Sequence, residues 1–465
     1  MVPVSTRPRR RVGRLALTLV LTLPAWAGVA AAHSGGLGGA TREPLAVPTW
    51  LFLLTGGGVV GVSFLLASFV TDRRLVDAVH DWGRPLPTPA RALRAVARAV
   101  GVGVLAVVVA VGYLGPETGV RSLTVLVVWV AWWGGYVAST YLVGNTWPTL
   151  GPFRTLAERL PSLDRTYPDR LGAWPSVAGL LLLVWVEVMT PLADDPRLLA
   201  TVLVAYTAVT LVGSAVVGAD DWFEEVDPLA RVFRFYSRLA PVGVVDGRLR
   251  LRLPGGALPD TVLDGRDDVA FVVTLLFVTT YDGFVATGPW ASGVRAVEGV
   301  GVPPVGAYLG AYLGGAALFY LAYRAASRMG RRRAATYLST DYLARRFAPA
   351  LLPIAAGYHL AHNLGSVLVL GPTFAAVGAA PLSPPASPPQ LAGLPSWVGG
   401  LELAAVLLGH LLAVWVAHAT AYDLFPSRLQ AVRSQYGVTA VMIGYTMLSL
   451  WIVAEPYVAP PFIAS

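Results

Sequence analysis

Hydrophobic positions in this chain fall into long, nearly unbroken runs separated by short polar segments. After residue 32, ten such runs follow, at about 49–70, 99–115, 123–143, 173–190, 199–218, 269–288, 304–325, 347–371, 397–420 and 436–454. Crossing the hydrocarbon core takes about 20 apolar residues, so the pattern predicts an all-α, polytopic transmembrane helix bundle of about ten spans. The second and fourth runs are short for a span.

The polar segments set the orientation. Residues 1–32 read as a secretory signal peptide: Arg9, Arg10 and Arg11 form the basic start, Leu15 to Val29 the apolar stretch, and Ala30 to Ala32 a small-residue cleavage site. An uncleaved first helix is the alternative and leaves the remaining topology unchanged. The mature chain, 33–465, would begin outside. Inside loops then contain Arg73 to Arg98, Arg154 to Arg170, Arg231 to Arg266, Arg328 to Arg346, Arg428 and Arg433. Only Arg42, Arg121, Arg197 and Arg295 fall outside. This asymmetry follows the positive-inside rule and puts both mature termini outside the cell membrane.

One loop carries a pattern of its own. Within the inside loop 219–268, Asp227-Pro228 is a helix start, and Leu229, Val232, Phe233, Tyr236 and Leu239 recur at helical spacing between arginines. An amphipathic helix lying on the inner leaflet is expected. Val244 to Leu251 alternates around Asp246-Gly247, a hairpin signal. The outside segment 372–396, rich in Pro, Ala and Ser, is expected to be a loose linker.

Composition supports the membrane assignment and removes several chemistries. Only 13% of the residues are charged, against 55% hydrophobic, and the mean hydropathy is +0.61. A soluble domain carries about 25% charged residues. With no cysteine, disulfides, thiolate metal sites and cysteine nucleophiles are excluded. All 35 basic residues are arginine, which excludes a phosphate-loop lysine, a Schiff base and a lysine base. Five of the eight excess positive charges sit in residues 1–32, so no nucleic-acid partner is implied.

Glycine patterns are read as helix packing. Gly56-x-Gly58-x-x-Gly61 lacks the preceding strand that a dinucleotide site needs. Gly306, Gly310 and Gly314 share one helical face. Trp129, Trp132 and Trp133 lie inside a span, where they either pack or line a ligand cavity.

The ionisable residues inside spans carry the functional signal, because each is costly in hydrocarbon. They are Glu187, Asp282, His359, His362, Glu402, His410 and His418. His359 and His362 are about 300° and 4.5 Å apart along a helix and can reach one centre, whereas His418 falls near the inner surface. His359, His362 and His410, with Asp282 or Glu402 as the carboxylate or base, are expected to converge in the outer half of the bundle. Such a set suits zinc, iron, manganese or copper. Hydrogen bonding across helices is the alternative. An amino-terminal His33 could also chelate copper.

Several short motifs, His33-Ser-Gly-Gly-Leu-Gly-Gly, Pro48-Thr-Trp-Leu-Phe, Asn145-Thr-Trp-Pro, Asp227-Pro-Leu-Ala, Tyr281-Asp-Gly-Phe, Tyr358-His-Leu-Ala-His and Arg433-Ser-Gln-Tyr, are spread over nearly the whole chain. In these it resembles a family of uncharacterised multi-pass membrane proteins of actinobacteria and archaea, some members of which are named fenitrothion hydrolase. The resemblance implies a membrane-embedded hydrolase of a phosphorothioate ester and assigns no residue roles. Three functions are therefore expected as alternatives: a metal-dependent hydrolase of a small-molecule ester, a proton- or metal-coupled transporter, and a haem-binding redox subunit with axial histidines.

Overall fold

The computed structural model describes residues 49–87, 91–163, 165–395, 397–455, 458, 460 and 461. The expected signal segment 1–32 and His33 lie outside them. The chain is mostly helical, and a helix stands at each of the ten apolar runs. The helices that matter here are α1 (Thr49–Ser68), α2 (Arg91–Leu114), α3 (Leu123–Leu142), α4 (Trp174–Met189), α5 (Pro196–Val217), α6 (Pro228–Tyr236), α7 (Arg266–Val285), α8 (Pro304–Ala334), α9 (Leu352–Ala379), α10 (Trp397–Leu424) and α11 (Tyr436–Ala454). Among the described residues, α1, α2, α3, α5, α7, α8 and α10 are long and apolar enough to cross a membrane, as is the segment Thr340–Ala379 that ends in α9. Helix α4 is apolar but shorter, at 16 residues.

Connections gather at two ends of the bundle. At one end, Arg73 donates to the carbonyls of Tyr422 and Phe425, and Arg346 pairs with Asp423 at 2.6 Å. Strands β1 (Gly83–Pro85), β2 (Val242–Val245) and β3 (Arg248–Arg252) join there as an antiparallel sheet of order β1-β3-β2. At the other end, Arg121 donates to the carbonyls of Pro384 and Pro385, and the Tyr308 hydroxyl donates to the carbonyl of Pro461. Each of these contacts joins segments that the arginine distribution assigned to the same side.

The hairpin forms where the alternation predicted it. Asp246 (φ 49°) and Gly247 (φ 73°) both take left-handed conformations, as a two-residue type I′ turn requires. The neighbouring strand β1 carried no such signal.

Helix α6 departs from expectation. It does not lie on a membrane surface: Val232, Phe233, Phe235 and Tyr236 are all buried within the protein. Its apolar side chains pack on protein, Tyr236 on Tyr141 and Phe235 on Phe271. Its Arg231 is also buried, paired with Asp268 of α7 and with Glu225, so this arginine marks an internal ion cluster.

Two glycine readings divide. Gly56 seats α1 against α11, where an added Cβ would lie 1.9 Å from Leu450. Gly310 and Gly314 meet nothing within 4 Å, so the expected packing of that face is not found; Gly315 packs on Phe277 instead. The segment after 371 is also corrected. Helix α9 continues through Pro372 to Ala379, and the following loop is tied back by Thr373 donating to the carbonyl of Pro389 at 2.7 Å.

Candidate functional site

Three helices bring the ionisable residues together. Asp282 comes from α7, His359 and His362 from successive turns of α9, and Glu187 from the last turn of α4. All four line one small cavity of about 30 Å³, with Trp133, Tyr358 and Asn363. That is room for a water molecule. His362 Nε2 lies 3.2 Å from Asp282 Oδ2. The Asp282 side chain keeps 37% of its surface accessible, so the pair stands at a mouth. Glu187 has no hydrogen bond or ion pair among the described residues.

His359, also on the cavity wall, takes its hydrogen bond from α3. Its Nδ1 lies 2.9 Å from the Tyr141 hydroxyl, and the Trp133 ring meets its imidazole edge-on at 5.3 Å. Tyr236 of α6 packs on Tyr141 with ring centroids 5.3 Å apart. Tyr141 lies one residue before the end of α3, so His359 is on the side of the group nearer α6, and the group as a whole sits near the middle of α9.

The remaining candidates lie elsewhere. His410 is buried, its Nδ1–H donates to the Val406 carbonyl at 2.8 Å, and its Nε2 has no hydrogen-bond partner among the described residues. Glu402 is buried on the same face of α10, two turns away. Neither residue lines the cavity. Helices α9 and α10 cross in near contact, a Cβ on Gly409 falling 2.4 Å from the carbonyl oxygen of Pro353. Among the described residues, no three His, Asp or Glu side chains are arranged to hold one metal ion. His418 donates from Nε2 to the carbonyl of Val70 at 2.9 Å.

A second, larger space adjoins the first. Between α2, α3, α4 and α5 lies a chamber of about 660 Å³, within the range of ligand pockets. Trp133, Val184 and Glu187 line both spaces. Residues Leu126–Tyr136 of α3 wind as a π-helix, a form concentrated at functional sites. This stretch presents Trp129, Trp132, Trp133 and Tyr136 to the chamber. The chamber also reaches Asp227, the N-cap of α6, which accepts hydrogen bonds from the Tyr206 hydroxyl and the Ala230 N–H, both at 2.7 Å. Burial pushes the Asp227 carboxyl up to about 6.

Comparison with models of protein families, with curated proteins and with solved structures gives no match. Geometry alone therefore defines the site. Tyr141 escaped the sequence reading because a span tyrosine is ordinarily a packing residue, and only its partner at matching depth distinguishes it. The π-helical turn has no signal in hydrophobic period.

Proposed function

We propose that this chain is an integral protein of the cell membrane with ten spans, its signal segment removed and both mature termini outside. In this reading the Asp282–His362 pair and Glu187 bind and release protons, and this exchange drives movement of a solute across the bilayer. The observation that carries it is the imidazole–carboxylate pair at 3.2 Å, beside a second carboxyl that has no hydrogen bond or ion pair among the described residues, within apolar helices. An ionisable group in such a setting marks an ion or proton pathway by default. Two carboxyls and an imidazole around one water-sized cavity hold a variable number of protons at modest cost, because each can compensate a neighbour's charge.

The test is proton uptake by purified protein in weakly buffered detergent, followed with a pH-sensitive dye after an acid jump. Asp282→Asn and His362→Ala should each reduce the uptake. Unchanged uptake in both would remove this reading.

A second reading, hydrolysis of an apolar ester, is favoured by the 660 Å³ chamber opening onto Glu187. It agrees with the family resemblance. His362, oriented by Asp282, would then act as general base toward a water in the small cavity. Turnover of a phosphorothioate ester by the purified protein, lost in His362→Ala, would select this reading over transport.

A further inference from the structure

The chamber's lining is chemically one-sided. It contains no arginine and no histidine; its acidic residues are Glu187 and Asp227. Asp227 is already engaged by Tyr206 and Ala230, whereas Glu187 has no such partner among the described residues. Trp129, Trp132 and Trp133 line the same chamber, Trp133 also sharing the small cavity with Glu187, and aliphatic residues from α4 and α5 complete the wall. Aromatic faces attract cations through the ring quadrupole, most strongly where water is excluded. A cation would favour ionisation of the Glu187 carboxyl by compensating the charge, a neutral ligand would not, and an anion would be repelled by the ionised form. The mouth is edged by Val104, Leu182 and Val209, all exposed, on the flank of the bundle. A ligand dissolved in the bilayer can enter sideways there.

We propose that this chamber binds a lipophilic organic cation, with the Glu187 carboxylate as its counter-ion. This rests on the proton-exchange reading above and names the class of solute that reading lacks. Because Glu187 lines both spaces, it can face a proton in the small cavity or a cation in the chamber. The two would compete for one carboxylate, the arrangement an exchanger needs. The titratable groups facing Glu187 are Asp282 on α7, Tyr312 on α8, and Tyr358, His359 and His362 on α9.

The probe is tetraphenylphosphonium, with tetraphenylborate as a comparator of the same shape and opposite charge. Binding of each to the full-length protein in nanodiscs is measured by calorimetry and by quenching of tryptophan fluorescence. The phosphonium should bind and the borate should not. Glu187→Gln should weaken phosphonium binding about tenfold or more, as loss of one partner of a desolvated charge pair does, while Glu187→Asp retains most of it. Equal binding of the two probes, or an unchanged affinity in a folded Glu187→Gln protein, would overturn the proposal. The probe comparison needs only the wild-type chain, so a poorly folded variant does not block the test. If the phosphonium does not bind while proton uptake still depends on Asp282 and His362, the cation site falls and the proton site stands.

Discussion

Asp282 and His362 meet at 3.2 Å although they belong to helices separated by more than sixty residues of chain. Each carries one polar group that a lipid-facing position would leave unsatisfied, and their meeting answers both costs. The pair is also partly accessible, which limits its value as a structural tie. Asp282→Asn should therefore change stability by about 1 kcal/mol or less, as for exposed ion pairs. The same substitution should reduce proton uptake. A thermal shift as large as that of a core cavity, with uptake intact, would contradict this division.

The contact between Tyr141 and His359 is of the other kind. Both side chains are buried, and the hydroxyl satisfies Nδ1 at 2.9 Å. Tyr141→Phe keeps the ring and removes the partner, leaving a buried polar nitrogen. The expected loss is about 1–3 kcal/mol, read as a lower unfolding midpoint in detergent by tryptophan fluorescence.

Arg231 gives a sharper test of burial. Its side chain is 2% exposed and is paired with Asp268 and Glu225. Arg231→Ala leaves Asp268 without its cation in a site 8% exposed, and should destabilise by about 3–5 kcal/mol. Arg231→Met combined with Asp268→Leu removes the two buried charges, leaving only the partly exposed Glu225, and should recover most of that loss. The check is the yield and unfolding midpoint of the single and double variants. Equal loss in both would mean that the packing of the long side chain matters more than its charge.

Asp227 supplies a pH dependence. Burial holds its carboxyl up to about 6, above the ordinary value of 3.8. Between these values the folded protein binds the proton more readily than the unfolded chain. Stability therefore falls as pH rises from about 4 to about 6 and is flat above, a change of about 3 kcal/mol. Asp227→Asn keeps a capping side chain but has no charge to titrate. Unfolding midpoints across this range should lose that slope in the variant and keep it in the wild type.

Much of the architecture was legible because burial in lipid is written into long apolar runs. Helices at all ten runs and the Asp246-Gly247 turn follow from length and turn chemistry. The site was legible only in part. Asp282, His359 and His362 come together, and each could be read as an expensive residue in a span. His410 and Glu402 look the same in sequence, yet they lie outside the cavity, because depth along a helix says nothing about the direction it faces. Helix α6 misled for a related reason. Alternating arginine and aromatic residues describe a helix at a lipid surface and a helix inserted beside an internal acid cluster equally well. Asp268 and Glu225, which decide between these, are not on α6 itself.

The two-ended grouping of the loops leads to the last prediction. Every inter-loop contact described above joins segments placed on the same side by arginine count, and this fixes the sides relative to one another. Which end faces the cytoplasm depends on the positive-inside rule alone. The natural absence of cysteine makes the test direct, since a single introduced thiol is the only one present. Arg248, exposed on the hairpin, and Leu382, exposed on the opposite end, are suitable positions. In intact cells a membrane-impermeant maleimide should label Leu382→Cys and spare Arg248→Cys, and permeabilisation should make Arg248→Cys reactive. Labelling of both in intact cells would mean that the segments do not lie on opposite sides. The reverse pattern would invert the protein, place the Asp227–Tyr206 end of the chamber toward the outside, and reverse the direction of the proposed proton exchange at Asp282 and His362.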